Sequence, residues 1–185
     1  MIRLIVGLGN PGRQYEKTRH NAGFWFLDGM ESQGWLRESK FNGEMSVCSI
    51  AGRNIILLKP DTFMNRSGMA VGKLARFYRF KPEEILVVHD ELDLKVGEVR
   101  LKKDGGHAGH NGLRDVIASL GTRDFMRLRL GIGRPQNGQN VADYVLSDAS
   151  KGDRQEIDGM IERVYRHMDL IVNGDFNHAM NALHS

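Results

Sequence analysis

A short apolar run, Leu4-Ile5-Val6, leads straight into Gly7-Leu8-Gly9-Asn10-Pro11-Gly12. Branched apolar residues that end in Gly and Pro predict a buried strand stopped by a tight turn. The first turn after a first strand is where open α/β sheets commonly place a ligand or reacting group. The glycines also match G-x-G-x-x-G, but that fingerprint needs its third glycine to open a helix whose N-terminus holds a pyrophosphate. Here Gly12 is followed by Arg13-Gln14-Tyr15-Glu16-Lys17-Thr18-Arg19, which is polar and has no apolar periodicity. The next helical pattern waits until Phe24-Trp25-Phe26-Leu27. What remains is a rigid turn carrying Asn10 and a polar loop carrying His20. An amide and an imidazole held near a strand end suit hydrolysis better than hydride transfer.

The rest of the chain alternates strands with helices. The pattern predicts an amphipathic helix over 22–33 ending near Gly34, then strands over 44–50 and 54–59 joined by the turn Ala51-Gly52-Arg53. Lys59-Pro60-Asp61-Thr62 stops the second of these, and Ser67 is placed to cap a helix carrying Met69, Val71, Leu74, Phe77 and Tyr78. Strands are predicted over 85–88, 97–102 and 126–132, with a helix over 112–120 before the last. Met126, Leu128, Leu130 and Ile132 share one face of that last strand, and Arg127 and Arg129 share the other. A long amphipathic helix carries Ile157 through Ile171 to Asn173-Gly174, and Asp175 is placed to cap a final short helix. The expected class is α/β: a single domain over 1–185, with a twisted mixed sheet and helices on both faces.

The one cysteine, Cys48, lies in an alternating segment and reads as a packed strand residue, with no internal disulfide open to it. No run approaches the ~18 apolar residues of a membrane span, and the start lacks a signal-peptide pattern. The expected compartment is the cytoplasm. Net charge is +3, unevenly spread. Lys95–Arg134 holds nine Lys or Arg against four Asp or Glu, a balance of +5 that leaves −2 for the rest. Such a region suggests a polyanionic partner, and on charge alone an unevenly charged solvated surface fits equally.

Polar groups sit where apolar strands stop. Asn10 follows the first strand, Met64-Asn65-Arg66-Ser67-Gly68 follows the strand ending at Lys59, and His89-Asp90-Glu91-Leu92-Asp93 follows 85–88. Parallel strands in an α/β sheet present their C-terminal ends at one edge, so these groups can converge. His20 and Asp90 would then make a base with an orienting carboxylate. Taken singly, Asp90 fits a turn cap and His20 a surface histidine; three strand ends bearing amide, imidazole and carboxylate favour a site. No nucleophile elbow is present, so water is the attacking group of a hydrolytic reading. Metal-ligating material exists in His89, Asp90, Glu91, Asp93, His107 and His110, but not at the spacing of a preset site. The segment Asp104–Gly112 is rich enough in glycine to bring backbone close to a ligand. Around it Arg100, Lys102, Lys103, Arg127, Arg129 and Arg134 could grip phosphates. Phe125 is the only aromatic residue between Lys95 and Arg134, which argues against a stacking ladder.

Together these motifs resemble the bacterial-type peptidyl-tRNA hydrolase family. The matching residues are G-L-G-N-P-G at 7–12, Tyr15, T-R-H-N-A-G-F at 18–24, K-P-D-T-F-M-N-R-S-G at 59–68, V-V-H-D-E-L-D-L at 87–94, G-H-N-G-L at 109–113 and R-L-R-L-G-I-G-R-P at 127–135. They occur in family order over nearly the whole chain. Lys95 stands where the family often has proline. The resemblance implies cleavage of the ester between a peptide and the 3′ ribose of tRNA, without cofactor or metal, by a monomer. It makes His20 the base that activates water and Asp90 the group that orients it. It implies that Asn10 distinguishes N-blocked peptidyl-tRNA from free aminoacyl-tRNA. Phe63, Met64, Asn65, His110 and Asn111 would line the substrate site, Tyr15 would lie near its tRNA side, and Lys102 and Arg129 would grip the tRNA 5′ phosphate. Two other readings remain open at this point, a nucleic-acid-binding module without activity and a metal-dependent hydrolase using His89–Asp93; a dinucleotide oxidoreductase ranks last, for the reason given above.

Overall fold

A computed structural model describes residues 1–184. All seven strands form one sheet in the order β2-β3-β4-β1-β5-β7-β6. The strands are β1 (Leu4–Gly7), β2 (Leu36–Glu38), β3 (Gly43–Ile50), β4 (Arg53–Pro60), β5 (Ile85–Glu91), β6 (Val99–Lys103) and β7 (Met126–Gly131). β4, β1, β5 and β7 run parallel, and β2, β3 and β6 add antiparallel edges. The sheet is therefore mixed, as the 44–59 hairpin predicts.

Helices α1 (Ala22–Asp28), α2 (Ser67–Tyr78), α3 (Asn111–Leu120), α4 (Val141–Val145), α5 (Lys151–Tyr165), α6 (Met168–Val172) and α7 (Phe176–Leu183) cover both faces. The alternation of strand side chains decides which helices pack where. Ile5, Leu86, Val88, Leu128 and Leu130 point into a core with α1 and α4–α7. Leu4, Val6, Ile85 and Val87 point into a second core with α2 and α3. Cys48 is buried in the first core, and burial pushes its thiol up to about 11, which suits packing and not nucleophilic work.

Several elements depart from the expected boundaries. α1 stops at Asp28, five residues short, where the Tyr165 hydroxyl donates to Phe26 O at 2.5 Å and occupies the space beside Gly29. β5 runs on past Val88 through His89, Asp90 and Glu91, because pairing with β7 continues to Glu91–Gly131. The polar cluster is thus the end of a strand and not a loop after it. Ser67 is the first residue of α2 and not its cap; its hydroxyl donates to Met64 O at 2.7 Å and closes the preceding 3₁₀ turn. The tail helix is broken after Tyr165. The break lets α6 turn so that Val172 O accepts from Ile2 N at 2.9 Å and Arg53 Nη1 at 3.0 Å. Asp175 precedes α7 as expected, but its carboxylate pairs with His178 and not with the helix backbone. Strand β2 and helix α4 lie outside the elements that the sequence pattern predicts.

Candidate active site

Four segments bring chemistry to the edge above β1 and β5. Gly12 is followed by one 3₁₀ turn, Arg13–Tyr15, so no helix dipole aims at the glycine turn. A second 3₁₀ turn, Arg19–Asn21, carries His20 and runs into α1. Helix α1 lies hard against the strand ends: a Cβ on Gly23 would stand 2.5 Å from Val88 O and 2.6 Å from Leu8 N. That approach presses His20 toward β5. The segment is pinned from outside by Arg19, whose guanidinium lies 4.1 Å from the Tyr144 ring and donates to Ser147 Oγ at 2.6 Å.

His20 Nδ1 lies 2.8 Å from Asp90 Oδ2, and His110 Nε2 lies 2.8 Å from Asp90 Oδ1. The tautomers follow from the partners. His110 is the N-cap of α3 and its Nδ1 accepts the Leu113 N–H at 3.2 Å, so its proton is on Nε2, facing Asp90. An ionised Asp90 can only accept, so His20 carries its proton on Nδ1. Its Nε2 is left with a lone pair for a water. One carboxylate thus receives one N–H from each of two imidazoles.

The electrostatics agree with this assignment. Asp90 is 3% exposed, and burial would raise its pKa. The two imidazoles outweigh burial and hold the carboxyl far below the usual range. Burial lowers the His20 pKa, but the charge and hydrogen bond of Asp90 outweigh it and the net shift is upward. His89 is different. Burial, helped by the nearby positive charge, pushes its pKa down to about 3, so it stays neutral. Its Nδ1–H donates to Asp90 O at 2.8 Å, and its ring stands edge-on to His110 with centroids 5.0 Å apart.

Asn10 is fixed at three points. Asn21 Oδ1 accepts the Asn10 N–H at 2.8 Å, Asn21 Nδ2 donates to Asn10 O at 2.9 Å, and Asn10 Oδ1 accepts the Met64 N–H at 2.6 Å. What is left for a ligand is the Asn10 Nδ2 group. Asn10, His20, Phe63, Met64, Asn65, Asp90, His110 and Asn111 all line one cavity of about 480 Å³. Tyr15 does not line it; its ring meets Phe63 edge-on at 6.3 Å and so braces that wall. Helix α4 and its C-cap also line the cavity, with Val141 and Leu146 exposed. The role of Asn21 and the α4 wall went unread in the sequence. Asn140 does carry a start signal, since its side chain caps α4 and Asp143 lies in the first turn. Asn21 has no signal beyond its place next to His20.

Lys102 and Arg129 lie outside this cavity, on β6 and β7. Lys102 is exposed. Arg129 is part-buried and its Nε donates to Glu91 Oε1 at 2.8 Å. Glu91 lines the cavity, so Arg129 is joined to the site through it. Arg127 is not available to a phosphate. It is 1% exposed, stacks 4.5 Å from the Phe125 ring, and donates to Gly106 O at 2.9 Å and Arg123 O at 3.1 Å. It tethers the glycine-rich loop, where Asp104, Gly105, Ala108 and Gly109 all take positive φ.

The acidic cluster of the sequence is dispersed: Glu91 pairs with Arg129 and Asp93 with Arg134. One donor group does come together, His20, Asp90 and His110, with ligand atoms within 4.8 Å of one another. An ion there would have to displace both imidazole N–H bonds to Asp90 and strip a proton from His110 Nε2. The donor set as hydrogen-bonded suits a proton carrier better than a cation.

A buried carboxylate that orients an imidazole, beside a cavity walled by carboxamides, defines a hydrolytic enzyme on a mixed α/β sheet. Known proteins place it further. The sequence pattern of the peptidyl-tRNA hydrolase family matches residues 4–185. A peptidyl-tRNA hydrolase of Methylococcus capsulatus is 54% identical over 187 residues, covering 100% of both chains. One from Bordetella avium is 52% identical over 190 residues, covering 100% of this chain and 92% of its own. The crystal structure of the Acinetobacter baumannii peptidyl-tRNA hydrolase superposes with a TM-score of 0.94 at 44% identity, covering 100% of this chain and 95% of that one. The chain belongs to the peptidyl-tRNA hydrolase family.

Proposed function

We propose that this protein hydrolyses the ester between an N-blocked peptide and the 3′ ribose of tRNA, and so returns tRNA from aborted translation. The observation that carries the reading is the His20–Asp90 pair at 2.8 Å, with His20 on the wall of the amide-lined cavity. His20 Nε2 takes a proton from water as the water oxygen attacks the ester carbonyl. The tetrahedral oxyanion meets amide donors, of which Asn10 Nδ2 is the best fixed. The carbonyl carbon–O3′ bond then breaks, and the imidazolium returns its proton to the 3′ oxygen. The products are a peptide carboxylic acid and a free 3′ hydroxyl. Asn65 and Asn111 offer further amides, and Phe63 and Met64 an apolar wall. The deciding experiment is release of peptide from N-acetyl-aminoacyl-tRNA, with free aminoacyl-tRNA as the control. Equal turnover of both would refute the role given to Asn10, and no turnover of either would refute the function.

The reading extends to a single-domain, cytoplasmic monomer that works without cofactor or metal. No helix among the described residues is long and apolar enough to cross a membrane. Activity is expected to survive exhaustive dialysis against EDTA. Loss on chelation, restored by a divalent ion, would assign an ion to His20, Asp90 and His110.

The tRNA 5′ phosphate is taken to sit at Lys102 and Arg129. Lys102→Ala is expected to raise KM for peptidyl-tRNA, leave kcat nearly unchanged, and lower the salt slope of binding by about one. An N-blocked amino acid esterified to a short CCA fragment lacks that phosphate and should be indifferent to the change. Equal losses on both substrates would end the phosphate-clamp reading. Arg129→Ala is the poorer probe, because it also strips Glu91, 8% exposed at the cavity wall, of its guanidinium.

A further inference from the structure

Glu91 is the last residue of β5, next to Asp90, and it is buried. Both of its carboxylate oxygens are engaged. Oε1 accepts the Arg129 Nε–H at 2.8 Å, and Oε2 accepts the Asp93 N–H at 3.1 Å. We propose that Glu91 is a positioning residue for the RNA end of the substrate. It holds the Arg129 guanidinium by Nε, so that the two Nη groups present a fixed fork to the tRNA 5′ phosphate. The proposal rests on the reading of Lys102 and Arg129 as the phosphate site.

The need for such a holder follows from the strand register. β7 lies between β5 and β6, and the register sets His89 on one side of Arg129 and Arg100 on the other. Paired residues share a face of the sheet, and so do residues two apart on one strand. Arg100, Lys102, Arg127 and Arg129 therefore stand on one face of β6 and β7, and Glu91 stands on that same face, two residues past His89. Like charges set opposite one another repel. Without Glu91, repulsion from Arg100 and Arg127 would drive the Arg129 guanidinium outward, and a phosphate would have to order it again on binding. Among the described residues, Glu91 is the one carboxylate that forms an ion pair with any of these four cations.

The bond is made at Nε alone. Among the described residues, Nη1 and Nη2 of Arg129 have no hydrogen-bond partner. That edge of a guanidinium can meet two phosphate oxygens at once. The carboxylate itself cannot turn freely, because the Asp93 N–H holds its other oxygen. The pairing also leaves the face basic. Arg100 donates to His184 O, and Arg127 to Gly106 O and Arg123 O, so neither charge is met by a carboxylate bond. Lys102 is exposed and unpaired. Asp104 acts on Arg127 from the glycine-rich loop and offsets one of these cations. An anion arriving at Arg129 therefore still meets a positive field, and Glu91 fixes where its strongest contact lies.

The test compares one N-acetyl-aminoacyl-tRNA in two forms, with its 5′ phosphate and with a 5′ hydroxyl in its place. The readout is KM for the hydroxyl form divided by KM for the phosphate form. A general change in the catalytic cavity cancels from that ratio, so a merely structural role would not move it. Glu91→Gln and Glu91→Met both remove the charge at nearly the same side-chain length, and only Gln keeps an oxygen for the Arg129 Nε–H. The Asp93 N–H lies on an exposed turn, where water can serve it in either variant. Wild type should favour the phosphate form about tenfold, as expected of one charge-assisted hydrogen bond. Glu91→Gln should keep that ratio or exceed it, and Glu91→Met should reduce it to about twofold. In an Arg129→Ala background, adding Glu91→Met should change the ratio no further. Glu91→Ala stands in if the Met variant does not fold. Equal ratios in the Gln and Met variants overturn the proposal, since charge alone would then matter. So does a Met variant with the wild-type ratio, or a Met effect that persists without Arg129. A wild type indifferent to the 5′ phosphate is a separate result, and it overturns the phosphate-clamp reading beneath the proposal.

Discussion

His20→Ala is expected to lower kcat by ~10²–10⁴-fold and to leave KM for peptidyl-tRNA nearly unchanged. The size follows from what the imidazole does. It is the only group at the site whose free ring nitrogen can both take the proton of water and return it to the leaving oxygen. The amide donors, Lys102, Arg129 and the cavity walls survive the change, so binding and a residual rate should remain. Folding should survive too. Asp90 keeps the His110 Nε2–H bond at 2.8 Å and is not stranded as an unpaired buried charge. A thermal melt close to that of wild type, together with a collapsed kcat, is the expected pair of results. A folded variant with near wild-type turnover would remove His20 from the mechanism.

The variant also separates two explanations of the pH profile. A base must be unprotonated to work, so wild-type kcat should rise with pH through the His20 pKa. Asp90 moves that limb upward from the ordinary imidazole value, against the opposing pull of burial. The residual rate of His20→Ala should lose this limb. If it keeps it, another group titrates.

The parts of this arrangement that were legible in the sequence share a physical cause. Runs such as Leu4–Val6 and Ile85–Val88 are buried on both faces and read as strands wherever they occur. The C-terminal ends of parallel strands then gather Asn10 and Asp90 without any knowledge of contacts. Strand β2 had no such cause to show itself: it is a three-residue edge, and Leu36 is 69% exposed, so no apolar alternation marks it. The extension of β5 through His89-Asp90-Glu91 was hidden for a related reason. Polar residues look like loop, yet backbone pairing to β7 holds them extended, with two imidazoles meeting Asp90 and Arg129 meeting Glu91. Arg127 reversed its expected role. The alternation correctly set it opposite Leu128, but the face it joined was closed by the glycine-rich loop, and sequence does not say which polar face a loop will cover.

Asn21 was the least legible member. Its side chain mimics a strand partner by accepting and donating to the backbone of Asn10, and nothing in composition or period announces such a bond. The sharing of Asp90 by two histidines was also invisible. The sequence points to His20, Asp90 and His110 singly, but only the geometry shows that His110 and His20 share the same carboxylate.

That sharing makes Asp90→Asn a larger change than the loss of one charge. Asp90 accepts from His20 Nδ1–H through one oxygen and from His110 Nε2–H through the other. An asparagine offers one acceptor and one donor. Its oxygen can serve only one imidazole, and its NH₂ meets the N–H of the other. If His110 yields, its proton must move to Nδ1, and the bond from the Leu113 N–H that caps α3 is lost. If His20 yields, its proton must move to Nε2, and the base is gone. In either case the imidazolium formed during attack no longer faces a carboxylate. We therefore expect kcat to fall by ~10²–10⁴-fold, comparable with losing His20 itself. The residual activity should carry a second mark. Without Asp90, the negative charge that raises the His20 pKa is gone and burial remains, so any surviving rate should reach its plateau at lower pH than wild type. Asp90→Asn/His110→Ala frees the single oxygen for His20 and restores its tautomer, so the double variant should exceed Asp90→Asn alone. A wild-type rate and pH profile in Asp90→Asn would dissolve the pairing. A double variant slower than the single one would show that His110 supports the reaction directly and not only through Asp90.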